Sequence, residues 1–336
     1  MSTTQPAQFF TIADSRFYLG AVALLNSLRL TGNVGDLIVL DVGLSQEQRV
    51  SLERRATVVR ISAKDLGHPV LAKAFPHVLG AEGTIALVDS DMMLTSSLSN
   101  IISLAEEGKI CVFPNHYTAR DRWFAEWQEI FELPTQPRHQ TYFNSGFVCF
   151  STHHWPDLLR LYWDACQKIP PQRVYRGASV RGDFGTKAPS DPVSLPDQDA
   201  LNALLMSVIP PEAIAELPPE EQATRGDLTR VQIIDEQRLT CFLDGRPTTI
   251  LHYTRNPKAW ERSNWWRVRW DAFTLLMPRV LLAADVPLRV KATMIPVWAR
   301  SGRLSRACLR GLDLGHRVAA PLWRTARKAL RSRGSR

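Results

Sequence analysis

Short apolar runs alternate with stretches of helically spaced apolar residues along the first half of the chain. Residues 19–30 follow the helical spacing, and Gly32 marks the predicted end of that helix. Ser45 and Gln48 have the spacing of a capping box and predict the start of a second helix. Six buried strands are predicted, at residues 9–12, 38–40, 58–61, 85–88, 110–113 and 147–150. This alternation predicts an α/β fold with a mainly parallel, Rossmann-like sheet covered by helices.

The second half of the chain has weaker patterns. Residues 169–196 are rich in Pro, Gly, Arg and Ser without apolar periodicity, which is typical of a functional loop or of disorder. A helix is predicted near residues 199–208 and a hairpin turn at Asp244. We predict one large domain over residues 1–270, followed by a helical, basic and amphipathic extension over residues 271–336.

Charge is distributed unevenly along the chain. The 336 residues carry a net charge of +8, but residues 286–336 contain 13 Lys/Arg and one acid, so the preceding body is acidic overall. In this tail Arg303, Arg306 and Arg310 repeat at helical spacing. Such a basic face favours adsorption to an anionic membrane surface. A solvated tail is the alternative, and nucleic-acid binding is the least favoured interpretation.

Cysteine usage and hydropathy bear on the location of the protein. The five cysteines are scattered without a CxxC spacing, which predicts free thiols in a reducing compartment. No run approaches the roughly 18 apolar residues of a spanning helix, and the first ten residues lack the features of a secretory signal. We therefore expect a cytoplasmic protein, peripheral on the inner face of the membrane through its tail.

Two carboxylates follow the apolar run at residues 85–88. Asp89 and Asp91 stand two positions apart, so in an extended chain their side chains point to the same side. The carboxyl ends of parallel strands face the crevice where ligands of α/β sheets bind. Carboxylate oxygens suit a hard divalent cation, which can neutralise a departing diphosphate. Asp-x-Asp is also a common surface triplet, so the pair alone is a weak signal.

Three further segments accompany this pair in a defined order. Asn144 stands in Phe-Asn-Ser-Gly ahead of a predicted strand, and Asp197 and Gln198 open a predicted helix. His252 follows another apolar run and precedes Lys258 by six positions. In this combination and order, the chain resembles the family 8 glycosyltransferases, which include glycogenin and bacterial lipopolysaccharide galactosyl- and glucosyltransferases. The resemblance covers about three-quarters of the chain.

The resemblance implies a GT-A fold, a UDP-sugar donor, Mn²⁺ dependence and retention of the anomeric configuration. It assigns the metal to Asp89, Asp91 and His252, and the imidazole makes this an N/O site that suits Mn²⁺ better than Mg²⁺. The implied catalytic residues are Asp197 and Gln198, with Gln198 near the anomeric carbon. The other implied donor contacts are Asn144 at the sugar, Lys258 at the diphosphate, Lys73 upstream of the carboxylate pair, and Asp14 with either Phe17 or Tyr18 at the nucleoside.

The chain departs from the family pattern at two positions after the histidine. Arg255 replaces a glycine that permits close backbone approach to the diphosphate, and Ala259 replaces a proline. Arg255 would either crowd that approach or supply another phosphate contact. Plain structural roles are also open for individual residues, namely a hydrogen-bonded histidine at 252, a strand-entry turn at Asn144, and helix caps at Asp14 and Asp197.

These observations predict a retaining glycosyltransferase that moves a hexose from a UDP-sugar to a hydroxyl acceptor, including a lipid-linked glycan at the membrane surface. A sugar-phosphate nucleotidylyltransferase would share the sheet and the metal carboxylates. However, the turn that follows the first predicted strand, residues 13–16, lacks the Gly-rich phosphate loop of that class. A catalytically silent nucleotide-sugar-binding protein is the non-enzyme alternative, which Arg255 favours.

Overall fold

Strands and helices alternate over the residues that the computed structural model describes, which are 6–62, 69–115, 120–170, 191–261 and 270–300. The strands are β1 Ala7–Asp14, β2 Gly35–Gly43, β3 Thr57–Arg60, β4 Thr84–Val88, β5 Met92–Leu94, β6 Ile110–Pro114, β7 Phe143–Ser151, β8 Ile214–Glu216, β9 Gln222–Thr224, β10 Gln232–Asp235, β11 Thr240–Leu243, β12 Arg246–Thr248 and β13 Ile250–His252. The α-helices are α1 Tyr18–Leu30, α2 Gln46–Leu52, α3 Ser99–Glu106, α4 Trp127–Ile130, α5 Leu158–Gln167, α6 Pro196–Ser207, α7 Ala272–Leu282 and α8 Val297–Arg300. The longest 3₁₀ helix among these residues spans Pro69–His77.

Seven strands form a mixed central sheet in the order β3-β2-β1-β4-β7-β6-β8. The strands from β3 to β4 are parallel neighbours, whereas β7 runs antiparallel to both β4 and β6. Side chains alternate between two buried faces: Phe9 and Ala86 pack in one apolar cluster, and Phe10 and Leu87 in the other. Burial on both faces explains the continuous apolar runs of these strands. The six predicted strands and the predicted α/β class are confirmed.

The first two helices begin and end close to the predicted positions. α1 covers the whole predicted segment and begins one residue earlier, and Gly32 after it has a φ of 74°, in the left-handed region that favours glycine. The Ser45 side chain accepts from the Gln48 N–H, and the Gln48 side chain accepts from the Ser45 N–H. The predicted capping box is thus confirmed.

Helix α6 begins three residues earlier than predicted. Pro196 occupies its first turn, where a fixed φ is favourable and a missing N–H costs nothing. Asp197 therefore lies inside the first turn, and the interpretation of Asp197 as the helix cap is wrong, because the cap position is Leu195. Asp244 has a positive φ and turns β11 into β12, which confirms the predicted hairpin.

Two small sheets stand beside the central one, with the orders β10-β11-β12 and β5-β13-β9. In the second, β13 runs antiparallel to β5 and parallel to β9. His252 consequently lies in register with Met92 on one side and with Thr224 on the other. This sheet brings together chain segments that are far apart in sequence, directly beyond the end of β4.

Helix α7 and the residues after it pack on α1. The buried side chain of Asn26 donates to the carbonyls of Val280 (2.6 Å) and Leu288 (2.8 Å) and accepts from the Leu288 N–H (2.9 Å). Trp298 belongs to the same apolar cluster as α1. The described residues between 270 and 300 therefore share a core with the first half of the chain.

Two predicted features fall outside the described residues. These are the basic face at Arg303, Arg306 and Arg310, and most of the irregular segment 169–196. Within the described ranges, no helix combines the length and the apolar character needed to cross a bilayer. The division of the chain at residue 270 stays a prediction.

Candidate active site

Asp89 and Asp91 lie where β4 leaves the central sheet and turns into β5. The Asp89 N–H donates to the Gly146 carbonyl (2.8 Å), which prolongs the pairing of β4 with β7. The Met92 N–H donates to the Asp89 carbonyl (3.1 Å) and closes a tight turn over Ser90. Both carboxylates consequently stand at the carboxyl end of a central strand, where the sequence places them.

Strand β13 brings His252 to these two carboxylates. The Tyr253 N–H donates to the Asp91 carbonyl (2.9 Å), which fixes β13 against the turn. His252 Nε2 lies 3.2 Å from an Asp91 oxygen and 3.7 Å from an Asp89 oxygen. One ligand atom from each of the three residues lies within 4.8 Å of the other two. We call Asp89, Asp91 and His252 the acid–histidine group.

The chemistry and packing of the acid–histidine group fit a divalent cation. Two carboxylates and one imidazole form an O/N donor set that Mn²⁺ accepts. His252 is only 4% exposed and packs against Gly146, where an added Cβ would come within 2.7 Å of the imidazole Cε1. The buried Nδ1 has no hydrogen-bond partner among the described residues. Close packing at a glycine therefore holds Nε2 toward the carboxylates.

Two buried lysines neutralise the carboxylates. Lys258 Nζ lies 2.5 Å from Asp91, and Lys73 Nζ lies 2.8 Å from both Asp89 and Asp197. Lys73 is thus the bridge that joins the end of β4 to the first turn of α6. The site has alternating positive and negative charges rather than an isolated acidic patch.

Burial and charge act in opposite directions on these groups. Burial favours the neutral form of Lys73, but Asp197 and Asp89 outweigh it and raise its pKa above the usual value. Burial also favours the neutral form of Asp91, but Lys258 and His252 together outweigh it and hold the pKa of Asp91 well below the usual value. Both side chains are therefore charged at neutral pH.

Two of the three predicted donor-sugar residues, Asp197 and Gln198, lie in the first turn of α6 and contact Ser145 of β7. The Ser145 hydroxyl donates to Asp197 (2.8 Å), and the Ser145 N–H donates to Gln198 Oε1 (3.2 Å). Asn144 Oδ1 accepts the N–H two residues further along β7 (2.8 Å). Asp197 and Gln198 consequently share Ser145 as a partner, and Lys73 joins Asp197 to the acid–histidine group. The Asn144 amide oxygen lies instead on the side of Gly146 that faces His252.

A buried arginine holds this turn of α6 in place. Arg122 binds Asp199 through two hydrogen bonds, of 2.7 and 2.8 Å, and both side chains are at most 1% exposed. Arg122 also donates to the Asp191 carbonyl (2.5 Å) and to the Ser194 hydroxyl (3.0 Å). The Tyr142 hydroxyl donates to Asp199 (2.6 Å). Arg122 could not be predicted from the sequence, because no nearby pattern indicates that this arginine is buried.

The turn after β1 and the start of α1 carry the two aromatic residues that were predicted as alternatives at the nucleoside, Phe17 and Tyr18. Asp14 Oδ1 accepts two backbone N–H groups of this turn (both 2.9 Å) and so fixes the turn. The interpretation of Asp14 as the cap of α1 is wrong, because the cap position is Phe17. Phe17 borders the site, with Lys258 Nζ 5.2 Å from its ring centroid. Tyr18 is 2% exposed and donates to Ser51 of α2 (2.9 Å). The ring of Tyr18 is therefore not accessible for stacking, whereas Phe17 is partly exposed.

A cleft of ≈ 380 Å³ lies along β9, the strand that pairs with β13 at His252, and no pattern in the sequence predicts it. Thr224 in its wall is the register partner of His252, and Pro114 is the partner of Phe143. We call it the polar cleft, because most of its lining is polar or charged. Its charged residues are Arg120, Arg230, Arg246, Glu220, Asp227 and Asp244.

Comparison with known proteins identifies the fold. No protein-family model and no curated protein sequence matches the chain. The bifunctional glycosyltransferase WbbM, solved in its apo form, has a TM-score of 0.52 and 14% identity, over 85% of this chain and 51% of that one. A mutant of LgtC with an active-site glutamine changed to glutamate has a TM-score of 0.50 and 13% identity, over 83% of this chain and 98% of that one. The galactosyltransferase LgtC with donor and acceptor sugar analogues has a TM-score of 0.49 and 14% identity, over the same shares.

The likeness to WbbM and to the LgtC mutant confirms the predicted GT-A fold. The chain spans about half the length of WbbM. At this level of identity, the likeness concerns the arrangement of strands and helices, and function has to be argued from the site.

Proposed function

We propose that the chain is a metal-dependent glycosyltransferase of the family 8 type, which moves a hexose from a UDP-sugar to a hydroxyl acceptor with retention. The observation that carries the proposal is the acid–histidine group, placed at the carboxyl end of β4 and flanked by two buried lysines. The GT-A fold and the glycosyltransferase WbbM support the reaction class by analogy.

The donor nucleotide would lie between the acid–histidine group and the turn after β1. Mn²⁺ held by Asp89, Asp91 and His252 would supply charge that stabilises the leaving diphosphate. Lys258 adds a positive charge beside Asp91, and Phe17 offers an aromatic ring to the base. The second charge is useful because a diphosphate carries more negative charge than one divalent cation neutralises.

Asp197 and Gln198 are the proposed catalytic residues at the transferred sugar. Asp197 is already bonded to Lys73 and Ser145, so its carboxylate is suited to orienting sugar hydroxyls rather than to attacking the anomeric carbon. We propose that the acceptor hydroxyl attacks from the face that the diphosphate leaves and gives its proton to that diphosphate. This course retains the anomeric configuration without a nucleophilic side chain.

The acceptor would enter through the polar cleft. Adjacent strands lie about 5 Å apart, so a hydroxyl held near Thr224 comes close to His252, its register partner. A glycan, including a lipid-linked one, presents the kind of hydroxyl that a polar cleft accepts.

Thermal denaturation with nucleotides tests the donor site. UDP is expected to raise Tm only in the presence of Mn²⁺, and Asp89→Asn is expected to abolish that shift. Asp89 is a better position than Asp91, because Lys73 keeps a second carboxylate partner whereas Lys258 would lose its carboxylate partner. Asp36→Asn, at an exposed position of β2, is the matched control and should keep the shift.

Hydrolysis of a UDP-hexose without acceptor distinguishes an enzyme from a silent binding protein. We expect Mn²⁺-dependent release of UDP from the unmodified chain and its loss in Asp89→Asn. A Tm shift without UDP release would favour the silent binding protein, and release of pyrophosphate from UTP and a sugar phosphate would favour the nucleotidylyltransferase. A folded protein that shows none of these responses would overturn the proposal.

We also propose that residues 301–336 adsorb to an anionic membrane surface, which would make the protein peripheral on the cytoplasmic side. These residues contain ten Lys/Arg and one acid. Truncation after Arg300 tests this, because a cut at residue 286 would also remove the buried Trp298. The full chain should bind vesicles that contain phosphatidylserine at low salt, and the truncated chain should not, at unchanged Tm. Equal binding by both chains would contradict the proposal.

A further inference from the structure

Each arginine of the polar cleft has its own acidic partner. The pairs are Arg120 with Glu216 at 3.1 Å, Arg230 with Asp227 at 3.1 Å and also with Asp244, and Arg246 with Glu220. Each guanidinium is therefore already neutralised, and an anionic ligand that approaches it also meets the negative charge of the neighbouring carboxylate. An uncharged ligand with several hydroxyls can instead donate to the acids and accept from the arginines, and both kinds of partner stay satisfied.

Gln222 contributes a buried donor that has no partner. It lines the polar cleft, is 5% exposed and lies in register with Ile250 of β13. Its amide nitrogen has no hydrogen-bond partner among the described residues. A buried donor without a partner carries a desolvation cost that a ligand oxygen would remove. The last torsion of a glutamine side chain is soft, so the amide can adjust its orientation to a ligand oxygen.

Gln222 and Thr224 stand two positions apart on β9. Residues with this spacing share one face of a strand, and both line the polar cleft. Thr224 is also the register partner of His252. A ligand bound at Gln222 can therefore extend along β9 and reach the acid–histidine group.

We infer that the polar cleft selects an uncharged glycan as the acceptor, and that Gln222 determines this specificity by donating to a glycan oxygen. The inference rests on the proposed glycosyltransferase function and names the substrate class of its acceptor side. Charge balance in the lining disfavours acceptors that carry a carboxylate or phosphate near the reacting hydroxyl. The unpaired amide supplies the positive interaction.

Matched neutral and charged acceptors test the substrate class. The probes are p-nitrophenyl glucoside and galactoside, with the corresponding p-nitrophenyl glucuronide and galacturonide, in which a carboxylate replaces the hydroxymethyl group. The full chain is assayed with UDP-hexose and Mn²⁺. We expect kcat/KM to be about tenfold higher for the neutral member of each pair.

Substitutions in the polar cleft test which side chains cause the preference for neutral acceptors. Gln222→Leu keeps the approximate size of the side chain but removes the donor, so the KM for the neutral acceptor should rise about tenfold. The same change at exposed Gln232 of β10 is the control, and it should leave the acceptor KM unchanged. Glu220→Gln removes the partner of Arg246 and should reduce the preference for neutral acceptors. Since this pair lies at the protein surface, Glu220→Gln remains informative if Gln222→Leu fails to fold.

Two results would overturn the inference. One is an equal or higher kcat/KM for the charged acceptors with the unmodified chain. The other is a change of the donor KM, and not of the acceptor KM, in Gln222→Leu. UDP-hexose hydrolysis is measured in the same samples: hydrolysis without preference for neutral acceptors contradicts this inference alone, whereas loss of both hydrolysis and UDP binding contradicts the proposed function.

Discussion

The acid–histidine group and the polar cleft are neighbours, but their charges are held in different ways. The side chains of Asp91 and Lys258 are 9% and 6% exposed. In the cleft, the side chain of Arg246 is 71% exposed and that of Asp244 is 57% exposed. Water screens the attraction within the exposed pairs, whereas a buried charge that loses its partner keeps a large desolvation cost. We therefore expect the Asp91–Lys258 pair to be held more firmly than the exposed pairs of the cleft.

This difference suits the two halves of a transfer reaction. The donor must be held in one geometry. Buried ion pairs can impose such a geometry, because leaving either partner without its counter-charge is costly. The acceptor has to enter and leave, which exposed pairs permit because each is worth about 0–1 kcal/mol. Removing one partner of a buried pair costs about 3–5 kcal/mol.

The largest effect is expected from His252→Ala. This change removes the only nitrogen ligand of the acid–histidine group. We expect Mn²⁺-dependent UDP release to fall about a thousandfold, since a bound cation supplies several kcal/mol of stabilisation to developing charge. Turnover is measured over a range of Mn²⁺ concentrations. His153→Ala, at an exposed position, is the control and should retain full activity. Turnover of His252→Ala within tenfold of the unmodified chain would show that the metal is bound elsewhere.

A buried pair outside the acid–histidine group should show the next largest effect. Arg122→Met leaves Asp199 buried without its cation, and we expect the free energy of unfolding to fall by about 3–5 kcal/mol. Urea denaturation measures it. The double variant with Asp199→Leu removes both charges and should regain part of this loss.

The same variants separate stability from positioning. The double variant still lacks the hydrogen bonds that tie the first turn of α6 to Asp191 and Ser194. We therefore expect kcat to stay low even where stability returns. A double variant that is less stable than Arg122→Met would contradict the assignment of Arg122 and Asp199 as a mutually dependent pair.

The sequence predicts those parts of the site that depend on local patterns. Asp89 and Asp91 follow a buried apolar run, so their place at the end of β4 could be predicted from neighbouring residues. The position of His252 could not be predicted in this way. It depends on the pairing of two three-residue strands, β5 and β13, which are too short to carry a pattern and lie more than 150 residues apart. Only the resemblance to known transferases linked the two segments.

The features missed from the sequence are those in which tertiary structure decides burial. Arg122 and Gln222 are polar residues of types that are mostly exposed, and their burial arises from segments that pack over them. The Asp197-Gln198-Asp199 segment indicated that the start of α6 belongs to the site, but it did not indicate that Asp199 forms an ion pair with Arg122. Turn chemistry, by contrast, is local, which is why the hairpin at Asp244 was predicted correctly.

A smaller effect on stability is expected where α1 touches the acid–histidine group. A Cβ added at Gly20 would lie 2.2 Å from the Ser90 carbonyl oxygen, so backbone must move. Gly20→Ala should lower the free energy of unfolding by about 1–3 kcal/mol and weaken Mn²⁺-dependent UDP binding, because Ser90 stands between the two carboxylates. Gly226→Ala, with open space around the added Cβ, is the control. Unchanged UDP binding in Gly20→Ala would mean that the turn tolerates displacement.

The smallest effect on stability is expected from Arg246→Gln, on the exposed side. Arg246 pairs with Glu220 at the surface, and we expect its removal to change the free energy of unfolding by less than about 1 kcal/mol, with the change smaller still at high salt. Urea denaturation at low and at high ionic strength measures this. A loss as large as that of Arg122→Met would mean that the cleft is held by its charges as firmly as the acid–histidine group. The two sides would then not differ in rigidity, and acceptor exchange would need another explanation than the opening of surface ion pairs.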